Sequence, residues 1–268
     1  MQADRETLFK RLWDQYRAVT PSADRIHRIL AGAEDGGIRN DHIALRTFNL
    51  EKVNLDRLAA HFTALGYEAA GEYHFEAKKL YARHFEHEDP AAPRVFISEL
   101  LVERFSPGLQ RIVAGLVEQV EPQAVAGADF PCSGRPWQID YDSYRQLLTE
   151  SEYAAWLAAW GFRANHFTVS INHLSRFDSV EAVNAALKDQ GFAINASGGE
   201  VKGSPEALLE QSSTMADRAE VRFSDRTVEI PSCFYEFAKR YPMASGELYG
   251  GFVAASADKI FESTDAAA

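Results

Sequence analysis

Apolar positions change their spacing along the chain, and each change marks an element. Residues 5–19 set Leu8, Leu12, Tyr16 and Val19 at helical spacing, and Thr20-Pro21 then offers an N-cap and first-turn proline for a second helix ending at Gly32. From Asp41 the period becomes two. His42, Ala44, Arg46 and Phe48 alternate with Ile43, Leu45 and Thr47, the pattern of a strand. Leu55, Leu58, Phe62 and Leu65 line one face of a helix that stops at Gly66, a residue suited to a left-handed helix terminus. Three strand-like stretches follow at Tyr67–Phe75, Lys79–His87 and Arg94–Leu101, so residues 41–101 predict a βαβββ unit.

Residues 102–162 predict a helical linker, with helices at Phe105–Val120 and Tyr144–Trp160 and a loop over Pro131–Pro136. The first pattern then returns. Residues 165–172 (NHFTVSIN) alternate as a strand with His166, Thr168 and Ser170 on one face. Asp178, a capping-box Glu181 and the stripe Val180, Val183, Leu187 predict a helix ending at Gly191. His42 precedes Gly66 by 24 residues and His166 precedes Gly191 by 25, a weak internal repeat with a histidine opening each unit. Strands are expected at Gly191–Ala196, Leu208–Ala216, Ala219–Phe223 and Thr227–Arg240, with Ser224-Asp225-Arg226 as a turn. The expected fold is α+β, a single domain over 1–268: N-terminal helices (1–40), a first βαβββ unit (41–101), helical linker (102–162) and a second βαβββ unit with a covering loop (163–262). The two units pair into a curved mixed sheet around a metal cavity, where inward-facing strand residues meet.

Composition narrows the chemistry. The chain has 268 residues, 46% apolar and 25% charged, enough to bury a large core without disulfides or structural metal. A net charge of −11 leaves no basic stripe for phosphates, so no nucleic-acid partner is expected. No apolar run approaches the roughly 20 residues a bilayer requires, and the charged N-terminal helix is unlike a signal peptide, so no membrane partner and a cytoplasmic location are expected. Cys132 and Cys233 read as reduced thiols.

Among eight histidines, His42 and His166 stand out because they occupy equivalent first-strand positions. Two imidazoles with one carboxylate form a face suited to Fe(II) with open coordination positions. Glu236, within the apolar stretch SCFYEFAKRY, is the acid most in need of such compensation. Its alternatives are an ion pair with Lys239 or Arg240, or exposure to solvent. Glu99 reads as the first unit's equivalent acid, a fourth ligand or hydrogen-bonding neighbour, and Glu229 as a competitor. Arg46 shares the strand face of His42, about 13 Å further along the backbone, and suits a substrate carboxylate or else a salt bridge to Glu99 or Asp41. Ser170, its counterpart, reads as a polar wall residue in contact with substrate. The glycines of GELYGGF lack the strand, GxGxxG, helix order of a dinucleotide loop and suggest a cover over the cavity.

DHIALRT, EYAAWLAAWGFRANHFTVSIN and IPSCFYEFAKRYP followed by LYGGF resemble the 2-oxoadipate dioxygenase/decarboxylase family, also called D-2-hydroxyglutarate synthases, over residues 40–262. That family is similar in fold to vicinal-oxygen-chelate proteins. The resemblance implies that His42, His166 and Glu236 hold Fe(II), with other divalent metals able to take the place, and that Arg46 binds a carboxylate. It implies as partners a dicarboxylic 2-oxo acid and O2, and as reaction the conversion of 2-oxoadipate to D-2-hydroxyglutarate and CO2. This chain is shorter than the family's better-characterised members. The alternatives are a redox-inert metal-dependent hydrolase, lyase or isomerase of the same fold, and a small-molecule binding protein.

Overall fold

The computed structural model describes residues 2–31 and 37–264; the expected end of the second helix at Gly32 lies outside them. Two helices open the chain, α1 (Gln2–Arg17) and α2 (Ala23–Ala31). Thr20 closes α1, its hydroxyl donating to the Tyr16 carbonyl, instead of capping α2, which begins after a turn containing Pro21. The first unit follows as expected: β1 (Asn40–Phe48), α3 (Leu55–Thr63), β2 (Tyr67–Phe75), β3 (Leu80–His87) and β4 (Arg94–Leu100). The linker holds α4 (Pro107–Glu118), α5 (Pro122–Ala126), α6 (Tyr141–Leu148) and α7 (Glu152–Trp160). The helix expected over 144–160 is thus two helices, because Ser151 leaves helical geometry and caps α7 through the Ala154 N–H. Gly161 ends α7 at φ +68°, and a Cβ there would overlap the Gly134 carbonyl. That close approach permits the paired backbone bonds between Gly134 and Phe162.

The second unit comprises β5 (Ala164–Ser170), α8 (Val180–Asp189), β6 (Lys202–Ser204), β7 (Leu209–Ser213), β8 (Arg218–Arg222), β9 (Thr227–Pro231) and β10 (Phe234–Arg240), and α9 (Ala254–Ile260) follows. Ser179 caps α8, so Glu181 lies one position short of a capping box. Three expectations change here. Gly191–Ala196 contributes only an isolated bridge, Ile194 to Thr214. The strand expected over 227–240 breaks after Pro231, which ends a ladder because it has no N–H to donate. The resulting β8–β9 hairpin stands apart as its own two-stranded sheet.

With the hairpin set aside, the remaining strands form one curved eight-stranded sheet in the order β2-β3-β4-β1-β5-β10-β7-β6. Each half has the same topology. β1 runs parallel to β4, as β5 does to β10, and β1 and β5 meet antiparallel at the centre. Gly66 and Gly191 both have positive φ, +92° and +85°, at the ends of equivalent helices. Alternation divides the strands between two faces. On the helix side, Phe167 and Tyr235 pack against Trp13 of α1, with ring centroids 5.0 and 6.0 Å apart, and Tyr16 donates to the Phe234 carbonyl at 2.8 Å. The opposite face carries His42, His166 and Glu236.

Candidate metal centre

The register explains why three distant residues meet. Thr168 of β5 lies opposite both His42 of β1 and Glu236 of β10, so the central ladders bring both histidines and the acid onto one face. His166 Nε2 is 3.0 Å from Glu236 Oε2, and His42 Nε2 is 3.5 Å from Oε1. One ligand atom from each of the three lies within 4.8 Å of the others, and all three residues are buried.

Each member is oriented from behind. His42 Nδ1 bonds Asp41 Oδ1 at 2.8 Å, which turns Nε2 toward the centre, and His166 Nδ1 bonds Asn165 Oδ1 at 3.2 Å. Thr168 Oγ1 lies 3.1 Å from His42 Nε2, and the Gln211 amide donates to Glu236 Oε1 at 2.5 Å. Burial pushes the Glu236 carboxyl up, but His42, His166 and Gln211 outweigh it and hold the group below its ordinary value. Burial drives the His166 imidazolium down against the pull of Glu236, favouring the neutral ring that can coordinate. The cluster therefore offers two imidazole nitrogens and one carboxylate at a common point, a donor set that fits a divalent transition metal.

The alternative partners of Glu236 lie elsewhere. Arg240 clasps Asp41, at 2.7 Å through Nε and 2.9 Å through Nη2, and Lys239 donates to the Asp178 carbonyl. Glu229 is exposed on the β8–β9 hairpin, paired with Arg218. Glu99 accepts the Leu55 N–H at 2.8 Å at the start of α3 and stays apart from the cluster. The register identifies a different counterpart for Glu236: His42 lies opposite Arg94 and His166 opposite Phe234, so the equivalent of Glu236 is Phe96. Only one half of the pseudo-symmetric sheet supplies the acid.

The cavity at the cluster is lined from the sheet by Ala44, Phe96 and Gln211, and from the C-terminal segment by Phe252, Ala257, Ile260 and Phe261. Its free volume is only about 20 Å³. The GELYGGF region does contribute cover: Arg240 Nη1 binds the Tyr249 and Gly251 carbonyls, and Phe252 meets the His42 ring edge-on at 4.7 Å. Arg46 is buried beyond this wall, its guanidinium 5.6 Å from the Phe261 ring and between Tyr153 and Trp156. Its ion-pair partner is Glu152 at 3.2 Å, neither Glu99 nor Asp41, and Nη2 donates to Thr264 at 3.0 Å. Its Nε has no hydrogen-bond partner among the described residues. Ser170 lies outside the cluster's cavity. It bonds His173 Nδ1 at 2.8 Å and lines a separate cavity of about 450 Å³ with Arg39, Asp41 and Arg94. Sequence reasoning missed the orienting roles of Asp41 and Gln211, for which the position of Asp41 beside His42 was the available signal; Phe252 lies at the end of the GELYGGF stretch expected to cover the cavity.

Fold and site together define a protein of paired βαβββ units around a two-histidine, one-carboxylate centre. Residues 5–129 and 133–248 match the 2-oxoadipate dioxygenase/decarboxylase family, and the chain belongs to it. It is 33% identical to the chloroplastic 2-oxoadipate dioxygenase/decarboxylase of Arabidopsis thaliana, covering 97% of this chain and 78% of that protein. The crystal structure of the Oryza sativa hydroxyglutarate synthase in complex with 2-oxoadipate superposes with a TM-score of 0.90 at 33% identity, over 99% of this chain and 94% of that one. A Shewanella frigidimarina structure described as a candidate hydrolase has a TM-score of 0.89 at 61% identity, over 93% and 98% of the two chains. Among the described residues no helix is long and apolar enough to cross a membrane.

Proposed function

We propose that this protein is an Fe(II)-dependent dioxygenase and decarboxylase of a dicarboxylic 2-oxo acid, with 2-oxoadipate as the leading substrate. The observation that carries the reading is the convergence of His42 Nε2, His166 Nε2 and a Glu236 oxygen, all buried, at one point on the sheet. The family of the chain and the 2-oxoadipate bound by the Oryza sativa structure support the substrate class. The reaction balances as one O2 consumed and one CO2 released: the CO2 carries away the substrate's own carboxylate oxygens, and both atoms of O2 enter the five-carbon hydroxy acid, one completing a new carboxylate at the former keto carbon and one becoming the hydroxyl.

His42, His166 and Glu236 would hold the metal, which when bound supplies a Lewis acid for the 2-oxo acid group and the redox chemistry of oxygen. Asp41 and Asn165 keep the imidazoles turned toward it. Arg46 is the cation for the substrate's remote carboxylate. Glu152 neutralises it at Nη1, and on the side bearing Nε and Nη2, where Nε has no partner among the described residues and Nη2 donates to Thr264, a carboxylate would take Nε together with the second N–H of Nη2. Phe96, Phe252 and Phe261 exclude water around the reacting end. A free volume near 20 Å³ holds about one water, so a six-carbon diacid requires the C-terminal wall to move aside.

The test is oxygen uptake by protein reconstituted anaerobically with Fe(II), then given 2-oxoadipate and air. Uptake matched by CO2 release and lost in Glu236→Ala is the expected result; oxygen-independent turnover would refute it. The hydrolase description of the Shewanella frigidimarina structure favours the second reading, a redox-inert metal enzyme of the same fold. Hydrolytic turnover with Zn(II) and no oxygen would establish that one.

A further inference from the structure

Gln211 stands beside the metal cluster without being a ligand to it. It sits on β7 opposite Ala238, one diagonal step from Glu236 on the same face, and 2% of its surface is exposed. Its amide nitrogen donates to Glu236 Oε1 at 2.5 Å, and its Oε1 has no hydrogen-bond partner among the described residues. A buried acceptor without a donor is costly, so an apolar residue would suit this position better if packing were its only task.

The pseudo-symmetry supplies an independent comparison. In the first unit, Phe96 holds the place of Glu236, and the same register puts Ala82 at the place of Gln211. The half that carries the acid carries the amide, and the half without the acid has no polar group at either position. The amide therefore accompanies the carboxylate. Lys202 lies directly across β6 from Gln211 but spends its ammonium on the Asn195 carbonyl, which leaves Gln211 as the side-chain amide donor to Glu236.

We propose that Gln211 is a positioning residue for Glu236: it occupies Oε1 so that the carboxylate meets the metal through Oε2 alone, in one orientation. This rests on the metal-binding reading above and extends it to a residue outside the ligand set. An amide donor on one oxygen disfavours two-oxygen chelation and reserves coordination positions for substrate and oxygen.

The test uses the full chain and Co(II) alone as probe, followed by visible absorbance and by titration calorimetry. Gln211→Leu keeps the approximate shape and removes the donor, and Gln211→Met does the same with a more adaptable side chain in case the first folds poorly. Both should bind Co(II) about 10- to 100-fold more weakly, with an altered absorption envelope and unchanged circular dichroism. With Fe(II) and 2-oxo acid, kcat should fall more than KM changes. Gln211→Glu should not restore the wild-type spectrum, because an ionised carboxylate has no N–H to donate. Wild-type affinity and spectrum in a folded Gln211→Leu or Gln211→Met variant would overturn the proposal while leaving the cluster intact. Wild-type Co(II) binding in Glu236→Ala would overturn the cluster reading and this proposal with it.

Discussion

Replacing Arg240 by Met removes one half of the buried ion pair behind the metal cluster. The side chains of Arg240 and Asp41 are 2% and 3% exposed, and their two contacts measure 2.7 and 2.9 Å. Burial alone would raise the Asp41 carboxyl, but Arg240 and His42 reverse this and hold it far below its ordinary range. Taking away the guanidinium leaves the buried carboxylate with His42 and the more distant Arg94, whose Nη1 lies 3.9 Å from Oδ2, at a cost of roughly 3–5 kcal/mol. Unfolding entropy of about 2.1 cal/mol/K per residue over 268 residues is about 0.56 kcal/mol/K, so the melting temperature should fall by roughly 5–9 °C. Met fills much of the vacated volume, so the cavity contribution stays small. The Tyr249 and Gly251 carbonyls also lose their donor, which loosens the approach to Phe252. Urea unfolding of wild type, Arg240→Met, Asp41→Asn and the double variant gives the coupling directly. The double variant should recover most of the loss, since the asparagine amide carries no charge and its oxygen can still accept from His42. As pH falls toward 4, the Arg240→Met penalty should shrink, because the stranded carboxylate becomes free to protonate. A single-variant loss below about 1 kcal/mol, or strict additivity in the double, would refute the reasoning.

The remaining expectations concern the cluster, the remote cation and the turn at Gly161. Folding holds both Glu236 and His166 below their ordinary values, so each binds fewer protons in the folded state, and stability of the metal-free protein should rise with pH up to about 6.5, from Glu236 below about 4.3 and from His166 below about 6.5. A urea midpoint that is flat or falls across that window contradicts the assignment. Arg46→Lys keeps the charge but loses the planar fork, and should raise KM for a dicarboxylic 2-oxo acid about tenfold or more while barely changing KM for a monocarboxylic one; equal effects on both would remove Arg46 from the substrate. Gly161→Ala combines φ +68° with overlap on the Gly134 carbonyl and should cost about 3 kcal/mol or more; a thermal melt within about 2 °C of wild type would count against the close approach.

Local chemistry made much of the first unit readable. Its strands alternate, its helix carries an apolar stripe, and Gly66 and Gly191 end equivalent helices because a residue without Cβ enters the left-handed region cheaply. Those signals act over a few residues, so they were enough to place His42 and His166 at matching positions. The second unit resisted the same treatment. Its periodicity was right for a strand through 227–240, but the break after Pro231 and the separation of the β8–β9 hairpin depend on which ladder each segment joins.

Partnership was the other thing the sequence left open, and tertiary structure decided it. Glu99 and Glu236 look alike as acids on late strands, yet the β1–β4 and β5–β10 registers place Phe96 opposite the role of Glu236 and send Glu99 to the start of α3. Arg240 lies four residues from Glu236 and pairs with Asp41, 199 positions away in the chain. Ser170 shares a strand with His166 but faces His173 and a separate cavity. Period, turn chemistry and charge are properties of neighbours along the chain and survive in the sequence. Which of several buried acids meets two imidazoles depends on strand pairing between segments about 50 to 130 residues apart, where a two-residue change of register exchanges one partner for another while leaving every local pattern unchanged.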